Sequence, residues 1–335
     1  MFFKAGFNQP ASISVVNVPE RPSFPQHAVI VKSLANVSKS LGTSEAASEL
    51  APASLLARSA RIGPSEYDRV SILILGSSLM PVLCGTTLIC HAMNDGVFLA
   101  ADDLLHFEQD GGPLPHNRDF RKVGTLGGVL IGSAGIMADP HTNYRVTDCT
   151  RKLSERLGDA VPQLPNVVAE AIFDELQNTF SPSRYLVVQG AWKSDMPGGR
   201  LLSYLVAGYT ENFKRPYVFE LGVEINPAND DLRFVAPFRR DDPLPQTVLI
   251  GEDKFIHLAN AGHEPEQSAC DEIISTVFPE ILRDFPNATE ALKIRLASVV
   301  ASIKVEARFN PTRVGSRVFV ALTDRHQRAT LASSY

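Results

Sequence analysis

The chain has 335 residues and a mass of 36.5 kDa, long enough for two domains or for one of roughly 250 residues with an extension. Hydrophobic residues make up 44% and charged ones 21%, which excludes a disordered or fibrous protein. With 37 acidic against 32 basic side chains, a formal charge of -5, nothing electrostatic favours a nucleic-acid partner.

The first 85 residues differ in kind from the rest. Residues 33–65 are rich in Ser and Ala, poor in aromatics and without a lasting period, so they bury too little apolar surface to offset ordering. The segment 1–85 carries seven basic and five acidic residues, and residues 86–335 the other 25 and 32, so an acidic body follows a slightly basic leader. No charged stretch leads straight into an apolar one at the extreme N-terminus, so a secretory signal is not expected. The 21 uncharged residues from Val70 to Cys90 are just long enough to span a bilayer. Ser77, Ser78, Pro81 and Gly85 divide them into two short strand-like runs, and no membrane span is expected.

From Thr87 the pattern becomes regular. TTLICHAM and VFLAAD flank Asn94-Asp95-Gly96 as a hairpin, and FRKV and VLIGSAG flank Gly127-Gly128 as a second. Ser133 to Phe180 reads as two helices broken near Pro162 and Pro165. RYLVVQGAW, LLSYLVAGY, YVFELGVEI and LRFVAPF follow as strands, then helices over about 267–282 and 288–304, then SRVFVALTD as a last strand. Segregated helices and hairpins predict an α+β fold of antiparallel sheets covered by helices.

Most familiar chemical motifs are missing: no GxSxG, HExxH, P-loop, GxGxxG or EF-hand loop occurs. The four cysteines, Cys84, Cys90, Cys149 and Cys270, have no CxxC spacing and suit a reduced interior. His91, in an apolar strand, reads as a packed histidine. Neither a metal nor a cofactor is expected.

The chemistry lies at the junction. Cleavage between Gly85 and Thr86 would leave a threonine whose hydroxyl and free α-amine share one residue. An amine with a pKa of about 8 is a usable base near neutrality, whereas a lone hydroxyl is a weak nucleophile. Lys122 would lower the amine's pKa, Asp102 would hold the lysine, and Gly135 would offer an N–H to the oxyanion. Arg121 competes with Lys122, since strand alternation turns only one of them inward.

Residues 86–102, TTLICHAMNDGVFLAAD, resemble the opening hairpin of the proteasome β-type subunits, within the N-terminal-nucleophile hydrolases. Asp102 lies sixteen positions after Thr86, as in that family, and Lys122 fits its K-V strand. VLIGSAGIMAD resembles the segment carrying the oxyanion glycine, here Gly135. The stretch EALKIRLASVVASIKVEARFNPTRVGSRVFVAL resembles the family's last helix, glycine turn and terminal strand. The resemblance spans roughly residues 86–325. It implies a four-layer αββα sandwich of the Ntn-hydrolase fold, a propeptide over 1–85 and a hydrolase domain over 86–335. It further implies threonine endopeptidase activity on unfolded polypeptides, and stacked rings with other proteasome-type α and β subunits. A cytoplasmic location, and a nuclear one if the source is eukaryotic, goes with these.

The pattern also departs from the family's. Gly251-Glu252-Asp253 stands where a Ser-Gly-Ser run is expected, Asp103 follows Asp102, and a loop over 107–119 is longer than usual. Alternation should send Asp103 outward. These departures leave two alternatives, a non-catalytic ring subunit of the same fold and, more remotely, a membrane-anchored protein.

Overall fold

The expected first hairpin forms: Thr87–Ala92 (β2) pairs antiparallel with Gly96–Asp102 (β3), closed by the Met93 N–H donating to the Gly96 carbonyl at 2.8 Å. The computed structural model describes residues 82–84, 86–104, 106–109, 112–113, 121–139, 144–158, 162–180, 200–210, 215–225, 232–325, 330–332 and 335. Ahead of the hairpin, Val82–Cys84 form β1. After it come β4 (His106–Gln109), β5 (Gly112–Pro113), β6 (Val123–Leu126) and β7 (Val129–Asp139). The short β8 (Tyr144–Arg145) leads into α1 (Val146–Leu157), and α2 (Pro165–Thr179) follows. Pro165 opens α2, where its fixed φ suits the first turn and its missing N–H costs nothing. Three long strands come next, β9 (Arg200–Tyr209), β10 (Pro216–Ile225) and β11 (Leu232–Arg239). The chain continues through β12 (Gln246–Gly251), the short α3 (Lys254–Asn260), α4 (Glu264–Asp284) and α5 (Glu290–Phe309). Strands β13 (Val318–Asp324) and β14 (Thr330–Ala332) complete the order.

Two antiparallel sheets result. One has nine strands in the order β11-β10-β9-β7-β1-β4-β5, with β6 and β8 also on β7; the other has five, β12-β2-β3-β13-β14. Between them lies a core containing Leu88, Leu99, Leu130 and Leu205, each 0% exposed, so truncating any one to Ala costs about 2–5 kcal/mol. The outer face of the larger sheet carries α1 and α2 on a core around Ile172, Leu176 and Tyr204. The outer face of the smaller carries α4 and α5 around Phe98, Ile281 and Val300. This is the four-layer αββα sandwich expected, α+β with antiparallel sheets between helix layers.

Three local expectations change. The first helix does not begin near Ser133, because β7 continues to Asp139; residues 130–135 pair with β9 and 135–138 with β1, so the backbone groups are already used by sheet neighbours. Strand β12 and helix α3 were not expected, and β12 pairs with β2 along its whole length. RYLVVQGAW lies outside the described residues. Of the Val70–Cys90 stretch, the described residues other than Thr86 are strand, and no helix among the described residues is long and apolar enough to cross a membrane.

Candidate active site at the start of β2

The site begins where β3 ends. Asp102 is fully buried, and its two oxygens accept from four groups in four parts of the chain. Oδ1 accepts the Thr87 N–H at 3.0 Å, while Oδ2 accepts the Leu104 N–H at 3.0 Å and the Gly315 N–H at 2.9 Å. The Lys122 ammonium donates to both oxygens at 2.9 Å, and neither side chain is exposed to solvent. A buried charge pair needs this many partners, since removing two ions from water costs several kcal/mol each. Lys122 reaches Asp102 because it immediately precedes β6, and its carbonyl accepts the Ser133 N–H of β7 at 3.0 Å. Arg121 is excluded from this position: its guanidinium lies over the Phe319 ring, 5.4 Å from the centroid.

Thr86 is buried one residue before the start of β2. Its carbonyl accepts the Glu252 N–H at 3.0 Å, and the Thr87 hydroxyl donates to the Glu252 carbonyl at 2.8 Å. The segment 251–253 therefore does face the threonine, but with main-chain groups. Gly251 makes that approach possible. It has φ +103°, and a Cβ there would stand 1.6 Å from the Thr86 oxygen, so no other residue fits. Burial pushes the Glu252 carboxyl above its ordinary range, and Glu306 and Asp253 add to this while Arg313 opposes it. Gly85, the other side of the expected cleavage point, lies outside the described residues.

Gly135 stands inside β7 rather than at a helix start, eleven positions before Val146 opens α1. It pairs with Cys84 on one side and Leu202 on the other, with φ +99°. Its backbone is thus opposite the chain that leads into Thr86. Asp103 does not point outward as alternation suggested; it is fully buried because β3 ends at Asp102 and the chain turns there. Its carboxylate accepts the Arg317 N–H at 3.4 Å. Burial raises its pKa, opposed by that N–H and reinforced by the Asp102 charge. His91 is a packed histidine, buried against Phe98 and bonded through Nδ1 to the Thr247 hydroxyl at 2.8 Å. Among the described residues, no group of three or more His, Cys, Asp or Glu side chains is placed to hold a metal ion.

The structure thus brings Thr86, Asp102, Lys122 and the Gly135 backbone to the same end of the two sheets. It also brings in Gly251 and Glu252, from the segment the sequence matched to the expected Ser-Gly-Ser run, and adds Thr87 and Gly315, which sequence reasoning did not place in the site. For Gly315 the available signal was the glycine turn ahead of the last strand.

No family model matches this chain, and no curated protein does. Among solved structures, it is similar to the "Anbu (Gly-1) mutant" from Hyphomicrobium sp. strain MC1, at 15% identity and TM-score 0.41, over 74% of this chain and 88% of that one. It is also similar to "Anbu (ancestral beta-subunit)" from Yersinia bercovieri, at 13% identity and TM-score 0.40, over 74% and 86%. These findings correct the family suggested by the opening hairpin: the chain is not placed among the proteasome β-type subunits, and its neighbours are Anbu proteins.

Proposed function

We propose that this chain is a self-processing threonine endopeptidase acting on unfolded polypeptides, made active by loss of residues 1–85. The observation that supports this best is the buried Lys122–Asp102 pair, with Asp102 also holding the N–H of Thr87, the residue after the proposed nucleophile. An ion pair with no solvent contact is costly to keep for stability alone, and one aimed at the first residue of a strand has a chemical use.

In the processing step, the Thr86 hydroxyl oxygen adds to the Gly85 carbonyl carbon, and the Gly85–Thr86 C–N bond breaks as an ester forms. Water then hydrolyses that ester, giving a leader ending in a carboxylate and a free Thr86 α-amine. In each later turnover the amine takes the hydroxyl proton as the oxygen attacks a substrate carbonyl, then returns it to the leaving amine. The ester on Thr86 is finally hydrolysed by water. The Lys122 charge favours the neutral amine, and the Gly135 backbone, which loses its β1 neighbour once the leader departs, is the oxyanion donor in this reading. Strand β1 lies between β7 and β4, so the chain entering Thr86 is held extended, the form in which a peptide would lie across the same edge of β7. Assembly with like subunits into a ring belongs to the same reading.

Intact mass and N-terminal sequencing of the protein from its own cells test this. A chain beginning at Thr86 that hydrolyses unfolded casein, with both lost in Thr86→Ala, is the expected result; a stable chain retaining Met1 overturns it. Native mass of the mature chain tests the ring. The second reading is a non-catalytic subunit of the same fold. It is favoured by Gly251-Glu252-Asp253, which presents backbone groups to Thr86 where hydroxyl side chains were expected.

A further inference from the structure

The carboxylate of Glu306 lies inside α5, is 0% exposed, and reaches across to another helix. One oxygen accepts the Phe255 N–H at 2.7 Å and the Ile256 N–H at 3.2 Å; the other accepts from the Asn310 side-chain amide at 3.4 Å. Helix α3 needs this partner. It is seven residues long, and the Asp253 side chain that precedes it makes no cap bond; it is turned instead to His257 at 3.1 Å. Its first N–H groups would otherwise be buried without acceptors. The three residues ahead of α3 are Gly251, Glu252 and Asp253, and Glu252 holds both the Thr86 carbonyl and the Thr87 hydroxyl.

Residue by residue, the connection runs from Glu306 to the amides of 255 and 256, through 252–254, to Thr86. The same helix acts a second time: the turn that follows α5 carries Gly315, whose N–H binds Asp102. Asp102 holds Thr86 from one side, through the Thr87 N–H. The Glu252 main chain holds it from the other, through the Thr86 carbonyl and the Thr87 hydroxyl, and Glu306 anchors the far end of that segment.

We infer that Glu306 is a positioning residue for the Thr86 nucleophile, acting through the 251–256 segment. The inference rests on the reading of Thr86 given above. Removing the carboxylate frees the start of α3, lets Glu252 drift and moves the threonine relative to Lys122, without altering any group that touches substrate. Such a loss falls on kcat and leaves KM nearly unchanged, because substrate binding along β7 is untouched.

The test uses the mature chain in three variants, Glu306→Ala, Glu306→Gln and a core control in the same helix, Ile303→Val, with Ile303 also fully buried. Casein-peptide hydrolysis gives kcat and KM, thermal unfolding gives Tm, and hydrogen exchange reports the amides of residues 87–88 and 251–256. Glu306→Ala is expected to lower kcat by about tenfold or more with KM within about twofold, and to speed exchange in both segments. Glu306→Gln, which keeps an acceptor oxygen and the volume, restores most of kcat. Ile303→Val, with its own loss of Tm, leaves kcat and both segments unchanged. Unchanged exchange over 87–88 in Glu306→Ala overturns the inference, as does a kcat that merely follows Tm across all three variants. A wild-type mature chain without hydrolysis defeats the endopeptidase reading alone, and exchange then decides whether Glu306 positions Thr86.

Discussion

The Gly315 N–H donates to Asp102 across 213 residues of sequence, at 2.9 Å. With it, the Asp102 carboxylate receives three backbone amides and one ammonium, and β3, β2, the turn before β13 and the chain before β6 meet at one side chain. Asp102→Asn is therefore expected to do more than remove a charge. It would leave Lys122 buried without its counter-ion, a loss of about 3–5 kcal/mol, whereas removing the ammonium as well, in Asp102→Asn/Lys122→Met, recovers part of that loss because the uncompensated charge goes with it. Urea denaturation of Asp102→Asn, Lys122→Met and the Asp102→Asn/Lys122→Met double variant measures this; additive losses would contradict it.

Thr86 separates chemistry from folding. Thr86→Ala removes one hydroxyl from a buried position, so the loss of stability should stay within the range of ordinary substitutions, about 1 kcal/mol. Thr86→Ser keeps an oxygen nucleophile. Mass spectrometry of both variants after expression should find the leader retained in the first and removed in the second.

Gly251→Ala is expected to be among the most damaging single-methyl additions in the chain. The new Cβ meets the Thr86 carbonyl oxygen and the backbone there has φ +103°, so β12 must shift or the Thr86–Glu252 contact must break. A loss of about 2 kcal/mol or more and slower leader removal should appear together, read by thermal unfolding and intact mass. Gly262→Ala is the comparison: φ there is +80° but a Cβ would meet nothing, so only the smaller conformational cost remains.

His91 makes stability depend on pH. Burial lowers its pKa from 6.5 to about 4, with the Arg295 charge adding and Asp95 opposing. A base lowered in the folded state binds its proton more readily when unfolded. Its contribution is thus complete above pH 6.5 and is lost as pH falls from there toward about 4. His91→Leu should flatten the fall in Tm between pH 7 and pH 5; a parallel fall in wild type and variant would rule out His91 as its source.

The sequence made the sandwich legible because its strongest patterns are local. Asn94-Asp95-Gly96 and Gly127-Gly128 mark hairpins, and the long helices after residue 264 show a clear period. What stayed hidden depends on partners distant in the chain. Residues 133–139 are small and weakly patterned, and only pairing with β9 and β1 makes them strand. Helix α3 has no side-chain cap of its own, and its acceptor is fifty residues away in Glu306. Glu306 itself reads as one more charged residue on a helix until α3 is placed beside it. Asp103 looked solvent-facing because alternation was carried one residue beyond the end of the strand. Lys122 was separable from Arg121 only once Phe319 offered the arginine a ring.

Strand β1 is held along both edges, by β7 through Val82–Cys84 and by β4 through Val82 and Leu83. Cutting the chain just beyond it would sever a covalent bond but none of those ladder contacts. The severed leader would stay seated, like a cork left in the neck after the wire is removed, with the new amine still covered. If the leader is cut there, maturation would have two clocks, one chemical and one set by how slowly a three-residue strand peels from two neighbours. The second would not depend on protein concentration, and an excess of the same peptide would keep the edge of β7 occupied by rebinding.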